Sequence, residues 1–135
     1  MKKEPFCRNN ILTLILLFLS LLISQNSLAQ SWSSKAALPV GRHHPVTWGI
    51  DGNGYVVTGT NIFGQPSNDF YRYNPPDDSW DILSPFPGDA RSFSIGAVRD
   101  GKGYMGFGAT NFQYLNDLWE YDPETNEWTE LPSCP

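Results

Sequence analysis

The chain has 135 residues, 40% of them hydrophobic, with a formal net charge of −5. That length accommodates one small domain beside a targeting segment, and the acidic balance argues against nucleic acid or an anionic membrane surface as partner.

In chain order, Lys2 and Lys3 precede an apolar run from Ile11 to Ser24 that leads into Ser27-Leu28-Ala29. The run is 14 residues long, short of the roughly 20 that span a bilayer, and small residues sit where signal peptidase cuts. Residues 1–29 are therefore expected to be a signal peptide cleaved after Ala29. Export to the periplasm, the cell surface or the medium follows, with no membrane contact after cleavage. Residues 30–135 keep 6 basic against 13 acidic residues, a net charge of −7. Cys7 leaves with the signal, so Cys134 has no intrachain partner for a disulfide.

From there the chain repeats itself. Asn68 to Trp80 reads NDFYRYNPPDDSW and Asn116 to Trp128 reads NDLWEYDPETNEW. Trp32, Trp80 and Trp128 lie 48 residues apart. Pro39 answers to Pro87, Arg42 to Arg91, Asp51-Gly52-Asn53-Gly54-Tyr55 to Asp100-Gly101-Lys102-Gly103-Tyr104, and Gly59 to Gly108. Each unit reads as four strands. β-branched, aromatic and small residues over 45–51 and 92–99 run into an Asp-Gly-x-Gly corner, a hairpin signal, and a second strand follows over 54–61 and 103–111. The third strand covers 69–74 and 117–122. There Tyr71 and Tyr73, or Trp119 and Tyr121, share one face while Phe70 or Leu118 takes the other, which predicts a sheet covered on both sides. A proline-containing Asx turn leads to the fourth strand, which starts at the tryptophan. No stretch shows helical periodicity. The class is all-β, with a four-stranded unit of about 48 residues that fits a propeller blade.

These units resemble kelch repeats, on the Arg near the first strand, the Tyr-containing second strand ending in glycine, the Asn-Asp-x-x-x-Tyr-x-Pro run and the closing tryptophan. Residues 31–132 carry the resemblance, and GYMGFGATN followed by YLNDLWEYDPETNEWTEL is similar to exported bacterial kelch proteins of the galactose-oxidase-like kind. The family's double glycine is Thr58-Gly59 in one unit and Phe107-Gly108 in the next, which puts the backbone path there in question. The resemblance implies a kelch-type β-propeller fragment: two four-stranded antiparallel blades, 40–85 and 86–132, plus an N-terminal clasp strand over 31–39. Closing a ring takes about four to eight blades, so the chain reads as the N-terminal part of a longer propeller, shortened or naturally fragmentary, with blade faces open to self-association.

Catalytic, cofactor and metal motifs are not evident. Gly101-Lys102-Gly103-Tyr104-Met105-Gly106 fits Gly-x-Gly-x-x-Gly, but it forms a hairpin between strands rather than a strand-to-helix turn. Adjacent residues on a strand point to opposite faces, so His43 and His44 are not expected to share a metal. Arg42 and Arg91 recur, which favours holding the blade through carbonyls or a carboxylate. Asp77 and Asp78 copy the turn positions of Thr125 and Asn126. The copper centre that a galactose oxidase relationship implies needs histidines and a crosslinked cysteine that this chain does not supply.

The non-repeating loops 62–67 and 112–115 are where specificity is expected. The residues expected to face a ligand are Arg42, His43, His44, Asn61, Arg91 and Asn111. The function expected is an exported binding or scaffold module recognising a protein or glycan through propeller loops. The alternative is part of an exported carbohydrate-active kelch enzyme, sialic-acid-mutarotase-like or galactose-oxidase-like, with its catalytic residues outside this chain.

Overall fold

The computed structural model describes residues 31–133, and every regular element among them is a β-strand. The expected signal peptide, residues 1–29, and Cys134 lie outside the described residues. The chain divides after Ser34, and all strands lie in the second unit, Lys35–Pro135. In the first unit, residues 31–34 carry no strand.

Two four-stranded antiparallel meanders make up the fold. The first orders β2 (Val46–Ile50), β3 (Asn53–Val57), β5 (Phe70–Asn74) and β6 (Ser79–Leu83). The second orders β7 (Ile95–Arg99), β8 (Lys102–Gly106), β9 (Leu118–Asp122) and β10 (Glu127–Leu131). A two-residue ribbon, β1 (Arg42–His43) on β4 (Thr60–Asn61), stands at the edge of the first sheet's opening strands. Strand order equals chain order in each sheet, the plan of a propeller blade.

The Asp-Gly corners form as expected. Ile50 pairs with Asn53 and Arg99 with Lys102, which leaves two-residue loops. Asp51 and Gly52 take φ of 49° and 79°, and Asp100 and Gly101 take 52° and 77°. Two positive φ values in succession suit a type I′ turn, whose twist matches that of the flanking strands.

The second strand of each unit is shorter than the sequence suggests. It stops at Val57 and Gly106 instead of running to residues 61 and 111, because the next two residues leave the β region. Thr58 and Gly59 lie at φ of 60° and 99°, and Phe107 and Gly108 at 61° and 86°. Where the family's pair has its first glycine, threonine and phenylalanine both adopt a left-handed path. A β-carbon on Gly59 would fall 2.9 Å from the His43 carbonyl oxygen, and one on Gly108 would fall 2.6 Å from that of Ser92. Gly59→Ala and Gly108→Ala are each expected to cost at least about 2 kcal/mol, from strain and clash together. Thr58→Gly runs the other way. It relieves about 1–2 kcal/mol of left-handed strain and removes a buried, unpartnered hydroxyl. Against this stand a lost methyl, about 0.8 kcal/mol, and glycine's extra entropy, about 0.5–1 kcal/mol. Urea melts should place Thr58→Gly within about 1 kcal/mol of the wild type, on the stable side.

The predicted clasp over 31–39 pairs with no strand among the described residues. A strand needs a neighbour to take up its backbone groups, and this stretch is held at one residue instead. The Ala36 N–H donates to Asp78 Oδ1 at 2.8 Å, and the Ala36 carbonyl accepts from Trp80 Nε1 at 2.9 Å.

The core lies between the two sheets. Val46, Trp48 and Ile50 are buried while Thr47 and Gly49 are exposed, so β2 turns one face fully inward. Trp48 stacks on Tyr121 with ring planes 7° apart, and Phe70 meets Tyr121 edge-on at 4.7 Å. Glycines on the second sheet make the space. A β-carbon at Gly103 would sit 2.8 Å from Trp48 Cε3, and one at Gly96 would overlap Val46 and Trp48. Phe86, from the connection between blades, closes the cluster against Trp119 and Trp128. Phe70 and Tyr71 are both buried on opposite faces of β5, as two-sided cover requires. Burial pushes the Tyr121 phenol up to about 12, so this aromatic core stays uncharged throughout the physiological range.

Candidate functional site

The meander sorts its connections by length. The tight turns at 51–52, 75–78, 100–101 and 123–126 fall at one edge of the blades, and every long connection falls at the other. Residues 40–45, 62–69, 84–94 and 107–117 therefore share that second edge. They are laced together there. Asn111 Nδ2 donates to Gln65 Oε1 at 3.1 Å, tying the irregular loop of one blade to that of the next. The Gly59 N–H donates to the Arg91 carbonyl at 2.8 Å, and the Arg91 N–H to the Ser67 carbonyl at 3.2 Å.

Arg42 and Arg91 lie at this edge but point their guanidinium groups inward. Arg42 is fully buried at its side chain; it donates to the Val40 and Thr58 carbonyls and to Asp69 Oδ2 at 3.1 Å, with its carbon 4.9 Å from the Tyr71 ring centre. Arg91 repeats the carbonyl and carboxylate contacts one blade on. It donates to the Asp89 and Phe107 carbonyls and grips Asp117 with two nitrogens, one bond being 2.7 Å, over the Phe86 ring. Burial works to raise the Asp117 carboxyl, but hydrogen bonds from Arg91 and Trp119 and the guanidinium charge outweigh it and hold it below the usual carboxylate range. The Asp of each Asn-Asp run is thus the anchor for the recurring arginine. In this arrangement neither guanidinium is offered to solvent.

Asn61 and Thr110 shape their loops, while Asn111 makes the bond to Gln65 between them. Asn61 Oδ1 accepts from the N–H groups of Phe63 and Gln65 at 2.9 and 3.1 Å. Thr110 Oγ1 does the same for Phe112 and Gln113 at 3.0 and 3.1 Å in the second blade.

The histidines depart from strand alternation. β1 ends at His43, and His44 turns to φ 52°. The two imidazoles then meet edge to face, with Nδ1 atoms 2.6 Å apart. At that distance one ring donates and the other accepts, so each fixes the orientation of its neighbour. Among the described residues no three His, Cys, Asp or Glu side chains gather closely enough to hold a metal ion.

Beside the histidines lie aromatics that residue type alone did not single out. Phe93 is 58% exposed and stacks on His44 with centroids 4.2 Å apart. Phe93, Phe107, Ala109, Tyr114 and Leu115 line a mainly apolar hollow of 510 Å³ at the same edge. Counting 49 residues on from His44 arrives at Phe93, so the repeat held a signal for this position.

Two stacked four-stranded meanders with a recurring buried Arg–Asp clamp are blades of a kelch-type β-propeller. The chain is built of kelch repeats, and the kelch motif itself matches residues 110–135. It is 36% identical over 98 residues to the N-acetylneuraminate epimerase of Pasteurella multocida (strain Pm70), covering 67% of this chain and 25% of that protein. To the enzyme of the same name from Haemophilus influenzae (strain PittEE) it is 31% identical over 96 residues, covering 63% and 25%. A third relative, the Kelch-like protein terF of Aspergillus terreus (strain NIH 2624 / FGSC A1156), is 33% identical over 121 residues, covering 84% and 24%. The solved structure of YjhT superposes with a TM-score of 0.71 at 25% identity, over 82% of this chain and 43% of that one. The chain spans about a quarter of the length of the curated relatives it matches.

Proposed function

We propose that the chain supplies two blades of an exported kelch-repeat binding module and that the loop edge recognises a glycan. One observation carries the reading: the non-repeating loops of both blades converge on one edge, where exposed rings stand beside amide and hydroxyl groups. Phe63, Phe93, Phe112 and Tyr114 are 58–95% exposed there, next to Asn61, Gln65, Thr110, Asn111 and Gln113. Sugars present both apolar C–H faces and rings of hydroxyls, and this mixture of flat apolar and bidentate polar groups complements them. A protein ligand is the other class that such loops serve. The opposite edge consists of short repeated turns and has less scope for specificity.

Names among the relatives favour a second reading, a part of an enzyme acting on N-acetylneuraminate. A glycan array probed with the full chain, together with NMR observation of N-acetylneuraminate epimer interconversion, separates the two. Glycan retention without faster interconversion is expected. Interconversion above the uncatalysed rate would replace the binding module with the enzyme, and neither effect would abandon both.

A further inference from the structure

We infer that a second copy of this chain docks on the uncovered face of the second blade, its first blade taking the place of a following blade, and that copies joined head to tail in this way close a ring. The inference goes beyond the glycan reading and leaves the loop tips free: Phe63 is 80% exposed although the second blade covers the first, and Phe112 is its equivalent.

The contact between the two blades is the template. Three backbone bonds cross it: the Gly59 N–H donates to the Arg91 carbonyl at 2.8 Å, the Arg91 N–H to the Ser67 carbonyl at 3.2 Å, and the Phe93 N–H to the His44 carbonyl at 3.3 Å. In the second blade Gly108, Leu115 and Phe93 hold the places of Gly59, Ser67 and His44; Leu115 donates to the Gly108 carbonyl just as Ser67 donates to that of Gly59. Among the described residues the Gly108 N–H and the Leu115 and Phe93 carbonyls find no backbone partner. Arg42 and His44 are the equivalents of Arg91 and Phe93, so a second copy brings the matching groups. Its Arg42 carbonyl meets the Gly108 N–H, its Arg42 N–H meets the Leu115 carbonyl, and its His44 N–H meets the Phe93 carbonyl. Ser92 and Ala109 exchange both bonds of a pair that corresponds to His43 and Thr60, and alternation along the ladder then turns the Arg42 backbone groups away from β4. Backbone groups left unpaired along such an edge recruit another chain. The hollow bordered by Phe93, Gly108 and Leu115 is the seat of residues 42–44 of that copy.

The sheet faces agree with the edge. Ile95, Ala97, Tyr104, Gly106 and Leu118 share the outward face of the second sheet. They correspond to Val46, Trp48, Tyr55, Val57 and Phe70 of the first sheet, all of them buried in the core. None of the five is charged, although Ile95 is 64% exposed. On the outward face of the first sheet, Thr47 and Gly54 correspond to Gly96 and Gly103, the positions that receive Trp48. Ala97 stands where that indole would be, so the contact between copies is shallower than the one within the chain and should dissociate on dilution. Because the two docking surfaces differ, the association is heterologous and propagates until its rotation closes. A propeller closes with about four to eight blades, which corresponds to about two to four chains of two blades each.

Analytical ultracentrifugation of the full chain at about 100 μM, where a contact with a Kd of about 10 μM is mostly formed, is expected to show one discrete species of about two to four copies. Ile95→Glu on the second blade and Gly54→Glu on the first should each weaken association at least about 10-fold by burying a charge in the contact. Ile95 is exposed, and a β-carbon at Gly54 meets Tyr73 at an ordinary 3.5 Å, so melting curves of both variants should stay close to the wild type. Mixed together, the two variants should form a 1:1 pair and nothing larger, since each retains the face that the other has lost. Ala97→Trp should tighten association at least about 10-fold by filling the space over Gly54, and adding Gly54→Glu should remove the gain. A monomeric wild type would overturn the second copy as occupant and leave the face to a blade of another sequence. Association that neither Glu variant weakens, or a mixture that yields no 1:1 pair, would overturn the head-to-tail geometry. An unlimited series of sizes would overturn ring closure.

Discussion

Trp48→Ala should destabilise the two-blade unit by about 3–5 kcal/mol, the range for deleting a large buried aromatic. Trp48 is 5% exposed and reaches from the first sheet onto Tyr121 and Trp128 of the second. Its removal opens a cavity that the two sheets cannot close without moving together. The partner side of this contact is Gly103, where an added β-carbon would sit 2.8–2.9 Å from the indole ring. Gly103→Ala alone should therefore destabilise as well, by about 1–3 kcal/mol from overpacking. In the double variant Trp48→Ala/Gly103→Ala the clash has no indole to meet, and the new methyl fills part of the void. The two losses should fall short of additive by at least about 1 kcal/mol in urea denaturation. Strict additivity would show that the indole and Gly103 do not share one contact.

The second large effect is expected at Arg91. This residue is 1% exposed, its carboxylate partner Asp117 is 19% exposed at the side chain, and the same guanidinium also donates to two backbone carbonyls. Arg91→Met leaves Asp117 with the Trp119 indole as a donor at 2.8 Å and takes one donor from each of the Asp89 and Phe107 carbonyls, the latter keeping the Ser94 hydroxyl. The cost should be about 3–5 kcal/mol, because a buried charge loses its counter-charge. Arg91→Met/Asp117→Leu should recover much of this loss, since no charge then remains to be solvated. The equivalent Arg42→Met is expected to cost less, about 1–2 kcal/mol, because Asp69 is 42% exposed and water can replace the guanidinium.

The Asp117 carboxyl is held below its unfolded value, which lies near 3.9. Its contribution is therefore complete above about pH 4 and is lost as pH falls through the folded value. Asp117→Asn should flatten the acid limb of the stability profile, and an unchanged limb would place acid sensitivity on other carboxylates.

Both effects bear on function through position. The Arg–Asp clamps lock the connections at the loop edge, and the Trp48 contact sets one blade against the next. Together they determine where Phe93, His44 and the irregular loops meet. Loss of either should weaken any ligand contact at that edge without touching the ligand.

The sequence by itself determined the elements and their order. The Asp-Gly corners and the two faces of the third strand are local signals, legible because a strand's faces and a tight turn's φ values are properties of a few adjacent residues, and the 48-residue echo repeats them. The recurrence of Arg42 at Arg91 likewise favoured a blade-holding role, although both arginines were also expected to face a ligand. Contacts between residues far apart in the chain were decided by the tertiary structure alone. The partner of each arginine stands 26 or 27 residues away, and Trp48 finds its glycine 55 residues on, distances that no periodicity encodes. The His43–His44 pair shows the limit most directly. Alternation sends the two rings apart, but the strand ends between them, and one positive φ brings their nitrogens together beside Phe93. Pattern assigns a side chain to a face only while the backbone stays regular, and at this edge the backbone is irregular because two blades and four loops must meet there.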